Sequence, residues 1–238
     1  MLASVTFRTK LLDTLRAVEP VLREPGVLIG GSEVPNLLQP GAQSTLVVSQ
    51  DVDIVVPVSS HAAVKQRLAE VRDLAPSTEE PSVWLPKRDG LIEVNFLGVD
   101  RARPGETYVF EDEALPLLVF EHLALLDCGV DVEVDGLRIP VPRVAGLLVE
   151  KLVSDRTGEK GDRDLLVALG LLLVAQPKDL DETDVIYRRL PKDLRHTIQS
   201  NLTTLSLLEP RDAMPDPLGH RALVAELLTR LEAVDGGP

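Results

Sequence analysis

Two aspartates one residue apart, Asp51 and Asp53, stand at the start of the strand-forming run Ile54 to Val56. Asp is disfavoured in strand interiors, and a carboxylate near a core is costly unless something compensates its charge. Because side chains alternate along a strand, both carboxylates point to the same face. A cation between them would relieve their repulsion, and Mg²⁺ prefers oxygen ligands. The pair therefore indicates a site for Mg²⁺ or Mn²⁺.

A third carboxylate, Glu93, lies in the segment "LIEVNFLG", where Ile92, Val94 and Phe96 are expected to face a core. Three carboxylates would complete a site for two metal ions, which can stabilise the attacking and leaving oxygens of a displacement. The pattern leaves open whether Glu93 binds metal or acts as a general base. Taken alone, Glu93 would be interpreted as a residue on the solvent-facing side of a sheet.

Upstream of the aspartates lies a Gly-Gly-Ser turn, Gly30, Gly31 and Ser32. Glycines let the backbone approach a phosphate closely, and the amides of a following helix can donate to its oxygens together with the serine hydroxyl. Singly, such a turn and an Asp-X-Asp pair are more often ordinary turns or caps. Their occurrence together, in this order and with Glu93, favours one nucleotide-binding site.

The surrounding pattern indicates the elements that position these residues. Apolar spacing predicts a helix over 8–19, a buried strand at "VLIG" and a helix from about Ser32. The aspartate strand follows, then a helix with serine caps over 59–74 and a hairpin over 82–98 that turns at Arg88-Asp89-Gly90. This order predicts a small mixed α/β unit.

The second half of the chain has a different pattern, a hairpin followed by helices. A hairpin over 130–142 is expected to turn at Asp135-Gly136. From Arg143 the pattern is helical and is broken at Pro177 and Pro191. We therefore predict an α+β protein, with a small mixed sheet and flanking helices in residues 1–140 and a helical C-terminal domain in residues 141–238.

Composition excludes several classes of protein. The chain has 238 residues and a formal net charge of -13, which disfavours indiscriminate binding to nucleic acid. The apolar run 165–175 is too short to span a bilayer, and the N-terminal segment lacks a signal-peptide core. Cys128 is the single cysteine, so no intrachain disulfide is possible, and the four histidines lack the spacing of a zinc site. We expect a cytoplasmic protein without a membrane segment.

Residues 25 to 100 resemble the nucleotidyltransferase superfamily, the DNA polymerase beta-like fold. That family pattern is a Gly-Gly or Gly-Ser turn, a helix, a strand with Asp-X-Asp and a third acid on a later strand. The resemblance implies metal-dependent transfer of a nucleotide from a nucleoside triphosphate such as ATP, with release of pyrophosphate. It places Gly30, Gly31 and Ser32 on the triphosphate, and makes Asp51, Asp53 and Glu93 the catalytic metal ligands.

A later segment, "VPRVAGLLVEKLVSDRTGEKGDRDLLVAL", resembles the C-terminal signature of AbiEii-type nucleotidyltransferases, a group that includes toxins of toxin–antitoxin pairs. The matching positions are Lys151, Arg156, Lys160 and Asp164. The resemblance implies that the three cations contact the triphosphate, that Asp164 orients Lys151 or acts as a base, and that an antitoxin protein is a partner. The alternative is that these cations form a solvated helix end with neighbouring acids.

The helical half also carries the residues expected to meet an acceptor. Its basic residues are Arg138, Arg143, Lys151, Arg156, Lys160, Arg163, Arg188, Arg189, Lys192 and Arg195. Together with the family resemblance they favour an RNA end, above all the acceptor end of tRNA, as the group that receives the nucleotide. Two rivals stay open: a small-molecule nucleotidyltransferase of the aminoglycoside-modifying kind, and a catalytically inactive nucleotide-binding or interaction module.

Overall fold

The computed structural model describes residues 2–31, 51–126, 129–154, 158–211 and 214–235, together with Val34 and Leu37. These residues form two compact units. The first holds the described residues up to Gly31 and those from Asp51 to Pro142, and the second holds Val34, Leu37 and the described residues from Arg143 onward. The first unit is a mixed sheet with flanking helices and the second is helical, which confirms the predicted fold class.

The first unit begins with two helices at the N-terminus of the chain. Helix α1, Leu2–Ala17, begins six residues before the predicted helix, and α2, Glu19–Leu22, follows it with a proline in the first turn. Leu11 and Leu15 of α1 are fully buried. Thr14 accepts a hydrogen bond through Oγ1 from the backbone N–H of Ile92, at 2.9 Å, and so ties α1 to the chain just before Glu93.

The sheet that the described residues form has seven strands, in the order β1-β2-β5-β4-β3, with β7 pairing both β5 and β6. The strands are β1 Leu28–Gly30, β2 Asp51–Pro57, β3 Leu74–Pro76, β4 Val83–Pro86, β5 Glu93–Val99, β6 Tyr108–Phe110 and β7 Leu117–Val119. The central strands β2 and β5 run parallel over seven residue pairs, whereas β1 and β4 pair with them antiparallel. The predicted buried strand, the aspartate strand and the β4–β5 hairpin are therefore confirmed.

Strand β5 has two neighbours on one edge, because β4 covers its beginning and β7 its end. Gly98 makes the second pairing possible. A Cβ atom at that position would lie 2.6 Å from Cγ2 of Val119 and 3.1 Å from Cβ of Leu117. A glycine inside a strand often marks such a close approach of another backbone. Strands β3, β6 and β7 were not predicted from the sequence.

Helix α3, His61–Leu68, follows a single 3₁₀ turn, Val58–Ser60, and is shorter than the predicted helix over 59–74. The predicted serine cap is wrong. The hydroxyl of Ser60 donates instead to the carbonyl oxygen of Pro25, at 2.8 Å, and does not cap the helix. His61 is buried, with Nε2 2.8 Å from the carbonyl oxygen of Leu115.

The second hairpin is confirmed, with strands β8 Val130–Val134 and β9 Leu137–Val141. At its turn Asp135 has φ 50° and Gly136 has φ 76°. Positive φ at both central residues is the requirement of a type I′ turn, which matches the twist of the two strands. The Asp-Gly dipeptide thus fixes the register of this hairpin.

The second unit is built of helices. In its described part these are α4 Val144–Val153, α5 Gly158–Val174, α6 Pro177–Arg189, α7 Lys192–Leu205 and α8 Arg221–Asp235. The predicted breaks at Pro177 and Pro191 are confirmed. Pro177 occupies the first turn of α6, where its missing N–H costs nothing, and Gln176 and Asp179 form a capping box.

Helix α4 is the centre of this unit, since nearly all of its residues are buried. It packs against α5, α6 and α7. Its apolar residues surround it on all sides, as expected for a helix enclosed by others. No helix in the described part of the chain is long and apolar enough to cross a membrane.

Candidate active site

The parallel pairing of β2 and β5 assembles the polar residues of the first unit. Asp51 lies opposite Glu93, and Asp53 lies opposite Asn95. Partners across a ladder share a face of the sheet, and residues two apart on a strand do so as well. Asp51, Asp53, Glu93 and Asn95 are therefore on one face, which we call the acid face, while the buried Val52 and Val94 are on the other. The structure thus places the three predicted acids on one face of the sheet.

Asn95 connects the two aspartates. Its Nδ2 donates to Oδ2 of Asp51 at 2.8 Å and, with a longer contact, to Oδ1 of Asp53 at 3.4 Å. Its own Oδ1 is buried and finds no donor among the described residues. Asn95 is not among the site residues predicted from the sequence. The available signal was an asparagine inside a strand, where it is disfavoured, two residues after Glu93.

Glu93 is surrounded by other negative groups. Burial raises the pKa of its carboxyl, and repulsion from Asp51 and then from Glu80 raises the pKa further. Glu80 precedes β4 and was not predicted to belong to this region. A raised pKa means that Glu93 keeps its proton to a higher pH than an ordinary glutamate. The acid face is therefore an environment in which added negative charge is unfavourable and positive charge is favoured.

The side chains on the acid face fit a hard cation such as Mg²⁺, but not as a finished three-acid cluster. Within the described ranges, no three His, Cys, Asp or Glu side chains come close enough together to hold a metal ion. Asp51 and Asp53 nevertheless offer carboxylate oxygens on one face. The amide of Asn95 lies with them, with Nδ2 directed at both aspartates and Oδ1 buried and without a donor among the described residues. Carboxylate and amide oxygens are the ligands that such cations prefer.

The glycine turn lies directly beside the aspartates, because Gly30 pairs with Asp53 across β1 and β2. Gly31 has φ 139°, in the region that favours glycine. Packing also favours glycine at position 30, since a Cβ atom there would lie 3.0 Å from Cγ2 of Val55. Ser32 and the expected start of the next helix lie outside the described residues, so the phosphate cradle stays a prediction.

In the second unit, Lys151 lies between two carboxylates. Its Nζ is 3.0 Å from Oε2 of Glu150 and 3.8 Å from Oδ1 of Asp164. The side chain of Lys151 is only 12% exposed, and Glu150 is buried. The alternative of a solvated helix end is therefore wrong for this lysine. Arg156 and the side chain of Lys160 lie outside the described residues.

The predicted basic surface is only partly available to a partner. Arg138 is paired with Asp131, and Arg143 with Glu182 at 3.2 Å. Three other cations lie close together where α6 ends and α7 begins, and we call them the basic corner: Arg188, Arg189 and Lys192. All three are exposed, and their side chains form no ion pair with another described residue.

No protein-family model matches the chain, and no curated protein matches it in sequence. Among solved structures it is similar to an antigenic nucleotidyltransferase-like protein from Paracoccidioides brasiliensis, with 14% identity, a TM-score of 0.42, and coverage of 96% of this chain and 90% of that one. It is also similar to JHP933 from Helicobacter pylori, with 14% identity, a TM-score of 0.43, and coverage of 94% and 93%.

A third similar structure is the antibiotic-resistance factor ANT(2'')-Ia, with 10% identity, a TM-score of 0.33, and coverage of 96% of this chain and 95% of that one. At these identities and TM-scores the likeness carries no functional argument. The side chains of the acid face are therefore the features from which an activity can be inferred. The AbiEii-type resemblance stays a prediction.

Proposed function

We propose that this chain is a metal-dependent nucleotidyltransferase, which transfers a nucleoside monophosphate from a nucleoside triphosphate to an acceptor and releases pyrophosphate. The observation that supports this most is the composition of the acid face. Asp51 and Asp53 point the same way, with Glu93 beside Asp51 and the Gly30-Gly31 turn beside Asp53. Oxygen ligands next to a glycine turn suit a magnesium-bound triphosphate.

The reaction requires one bond to form and one to break at the α-phosphorus. The acceptor oxygen attacks it, and the bond to the oxygen that leads to the β-phosphate breaks, so that pyrophosphate leaves. We assign Glu93 to take the proton of the acceptor hydroxyl, since its carboxylate lies beside Asp51 on the same face. Asp51 and Asp53 would hold magnesium, which offsets charge on the phosphate oxygens. Positioning then contributes most of the rate.

For the acceptor we propose an RNA end, and in particular the acceptor end of tRNA. The support is the basic corner, three exposed cations in a protein whose formal net charge is -13. A polyanion needs such a concentrated basic surface to bind an acidic protein. The AbiEii-type resemblance adds the proposal that the chain is a toxin restrained by an antitoxin protein.

One observation favours a different acceptor. Glu80 adds a further negative charge near Glu93, and an acidic surface attracts a small polycation such as an aminoglycoside. Incubation with magnesium, each labelled nucleoside triphosphate, and either total RNA or a panel of aminoglycosides separates the two. We expect label on RNA. Label on an aminoglycoside but never on RNA would identify the small-molecule rival, and bound nucleotide without transfer would indicate an inactive module.

Ligand-dependent melting tests the site itself. Magnesium with a nucleoside triphosphate should raise the melting temperature of the wild-type protein by mass action. Asp53→Asn should remove most of this rise, because it removes a proposed metal ligand. Asp89→Asn is the matched control, since Asp89 is exposed at the loop before β5, and it should respond as the wild type does. A full response of the Asp53 variant would show that the nucleotide binds elsewhere.

A further inference from the structure

We propose that Asn95 supplies the third oxygen ligand of the cation through Oδ1, and that its amide group holds Asp51 and Asp53 together when no cation is bound. The inference deepens the proposed function and rests on it, because it concerns the same metal site. It assigns this ligand position to an amide and not to Glu93, the third acid expected from the sequence.

The first support is the position of Asn95. It is the residue opposite Asp53 in the β2–β5 ladder, and its Nδ2 reaches both aspartates, at 2.8 Å and 3.4 Å. Two carboxylates on one face repel each other. An N–H donor placed between them reduces that repulsion in the same way as a cation, although more weakly. Asn95 therefore occupies the position from which a ligand can contact a cation held by both aspartates.

The second support is the buried oxygen of the same amide. Oδ1 of Asn95 is inaccessible to solvent and lacks a donor among the described residues. Buried acceptors in folded proteins nearly always have a donor. Because this oxygen has none, it gives up no hydrogen bond when the amide rotates and turns it toward the aspartates, where a cation held by them would become its partner.

An amide group can serve both states without a change of volume. Rotation about the Cβ–Cγ bond exchanges Oδ1 and Nδ2, which have nearly the same size. Without a cation, the rotated form would place Oδ1 against two carboxylates and would be unfavourable. With a cation between the aspartates, the rotated form becomes favourable and Nδ2 is released. Asn95 thus responds to the cation, whereas a third carboxylate would repel both aspartates in its absence.

The rival ligand is Glu93. Its backbone lies opposite Asp51, yet it does not complete a group of three metal-holding acids with the two aspartates, since the described part of the chain contains no such group. Asn95, in contrast, already contacts both aspartates. The geometry therefore favours the amide as the third ligand.

The test is Mn²⁺ binding to the nucleotide-free protein, measured by electron paramagnetic resonance of the free ion. Asn95→Ala should weaken binding about tenfold, the loss typical of a group that supports a metal site. Asn95→Asp should bind at least as tightly as the wild type, because a carboxylate replaces the amide oxygen. Glu93→Gln should weaken binding less than Asn95→Ala does, because it removes a nearby negative charge but no ligand. Wild-type affinity in Asn95→Ala, with loss in Glu93→Gln, would overturn the proposal.

Melting in the presence of EDTA separates ligation from simple structural support. Asn95→Asp should melt below the wild type without metal, because three carboxylates then repel one another, and its melting temperature should rise more on adding Mn²⁺. A residue that only supports the strand would lower both melting temperatures equally, which would contradict the proposal.

Asp53→Asn distinguishes the failure of this inference from failure of the proposed site. If Asp53→Asn loses Mn²⁺ binding and Asn95→Ala does not, only the role of Asn95 is refuted. If neither variant changes Mn²⁺ binding, the metal site on the acid face is refuted and the inference is refuted with it.

Discussion

At the scale of single residues, Lys151 shows how burial changes the expected effect of a substitution. It is nearly buried and lies beside the carboxylates of Glu150 and Asp164. Lys151→Met should leave Glu150 buried without its cation, and breaking a buried pair in this way is strongly destabilising. We expect a loss of about 3–5 kcal/mol in the free energy of unfolding, measured by urea denaturation.

The double variant Glu150→Gln, Lys151→Met is the control, because it removes both charges and should recover much of this stability. A loss below about 0.5 kcal/mol in the single variant is typical of an exposed site and would contradict the buried pair. Transfer activity, measured at a temperature where the variant is folded, then tests the predicted contact with the triphosphate. Near-normal turnover would limit Lys151 to charge balance within α4 and α5.

The residues of the acid face differ in how far the sequence predicts them. Asp51 and Asp53 share a face because side chains alternate along a single strand, so the local sequence pattern was sufficient to predict their common orientation. The role of Asn95 depends on the register between β2 and β5, which a sequence does not reveal before the pairing is known. Glu150 was missed for a similar reason. Adjacent residues on a helix are not expected to face each other, yet Nζ of Lys151 lies 3.0 Å from Oε2 of Glu150.

At the scale of elements, Gly98 controls the attachment of β7 to the sheet. In Gly98→Ala the new methyl group would lie 2.6 Å from Cγ2 of Val119, so the side chain of Val119 or the strand β7 must shift. Forcing extra volume into a packed site typically costs about 1–3 kcal/mol. We therefore expect Gly98→Ala to melt at a lower temperature than the wild type. Val119→Ala in the same chain should recover part of the loss. An unchanged melting temperature in the single variant would show that β7 is not packed against β5.

Asp112 gives a pH-dependent prediction for the segment between β6 and β7. The hydrogen bond from Lys65 Nζ, at 2.6 Å, is the main cause that lowers the pKa of Asp112 to about 2, and backbone N–H groups of Ala114 and Leu115 add to it. An unfolded aspartate has a pKa of about 3.9. The pair therefore stabilises the folded state above about pH 4, and the contribution is lost as pH falls toward about 2.

Lys65→Met should accordingly lower stability at pH 7, and the difference from the wild type should shrink between about pH 4 and pH 2. Urea denaturation of both proteins across this pH range measures the difference in their free energies of unfolding. The other carboxylates titrate alike in both proteins, so their contributions cancel in this difference. A difference that stays constant with pH would contradict the role assigned to this pair.

The sequence predicts elements well where local chemistry decides them. The type I′ turn at Asp135-Gly136 and the helix break at Pro177 depend on the dihedral angles that those residues adopt. Strands β6 and β7 have three residues each and exist because they pair with β5 or with each other, which a short apolar run does not reveal. The predicted serine cap is absent because the hydroxyl of Ser60 donates instead to the carbonyl oxygen of Pro25, in the loop before β1.

At the scale of the whole molecule, charge is unevenly distributed along the chain. Residues 1–142 hold 22 acidic and 12 basic side chains, whereas residues 143–238 hold 16 and 13. RNA should therefore bind through the helical part, and its affinity should fall steeply with salt, since each phosphate contact releases counterions. Fluorescence anisotropy with a labelled RNA over a range of salt concentrations measures the slope.

Replacing the basic corner residues Arg188, Arg189 and Lys192 by serine should weaken RNA binding and reduce the salt slope by roughly one for each lost phosphate contact. A matched triple variant replaces three cations that are already in ion pairs, Arg23, Arg88 and Arg103. It removes the same charge and should change the slope much less. Equal losses in both variants would mean that net charge, and not the basic corner, determines RNA binding.

The most direct test of nucleotidyl transfer follows the phosphates of the substrate separately. The protein is incubated with magnesium, an acceptor RNA and a nucleoside triphosphate labelled at either the α- or the γ-phosphate. We predict that the α-label becomes attached to the acceptor, that the γ-label appears only in pyrophosphate, and that Asp51→Asn with Asp53→Asn abolishes both. Attachment of the γ-label to the acceptor, or α-label transfer that persists in the double variant, would contradict the account.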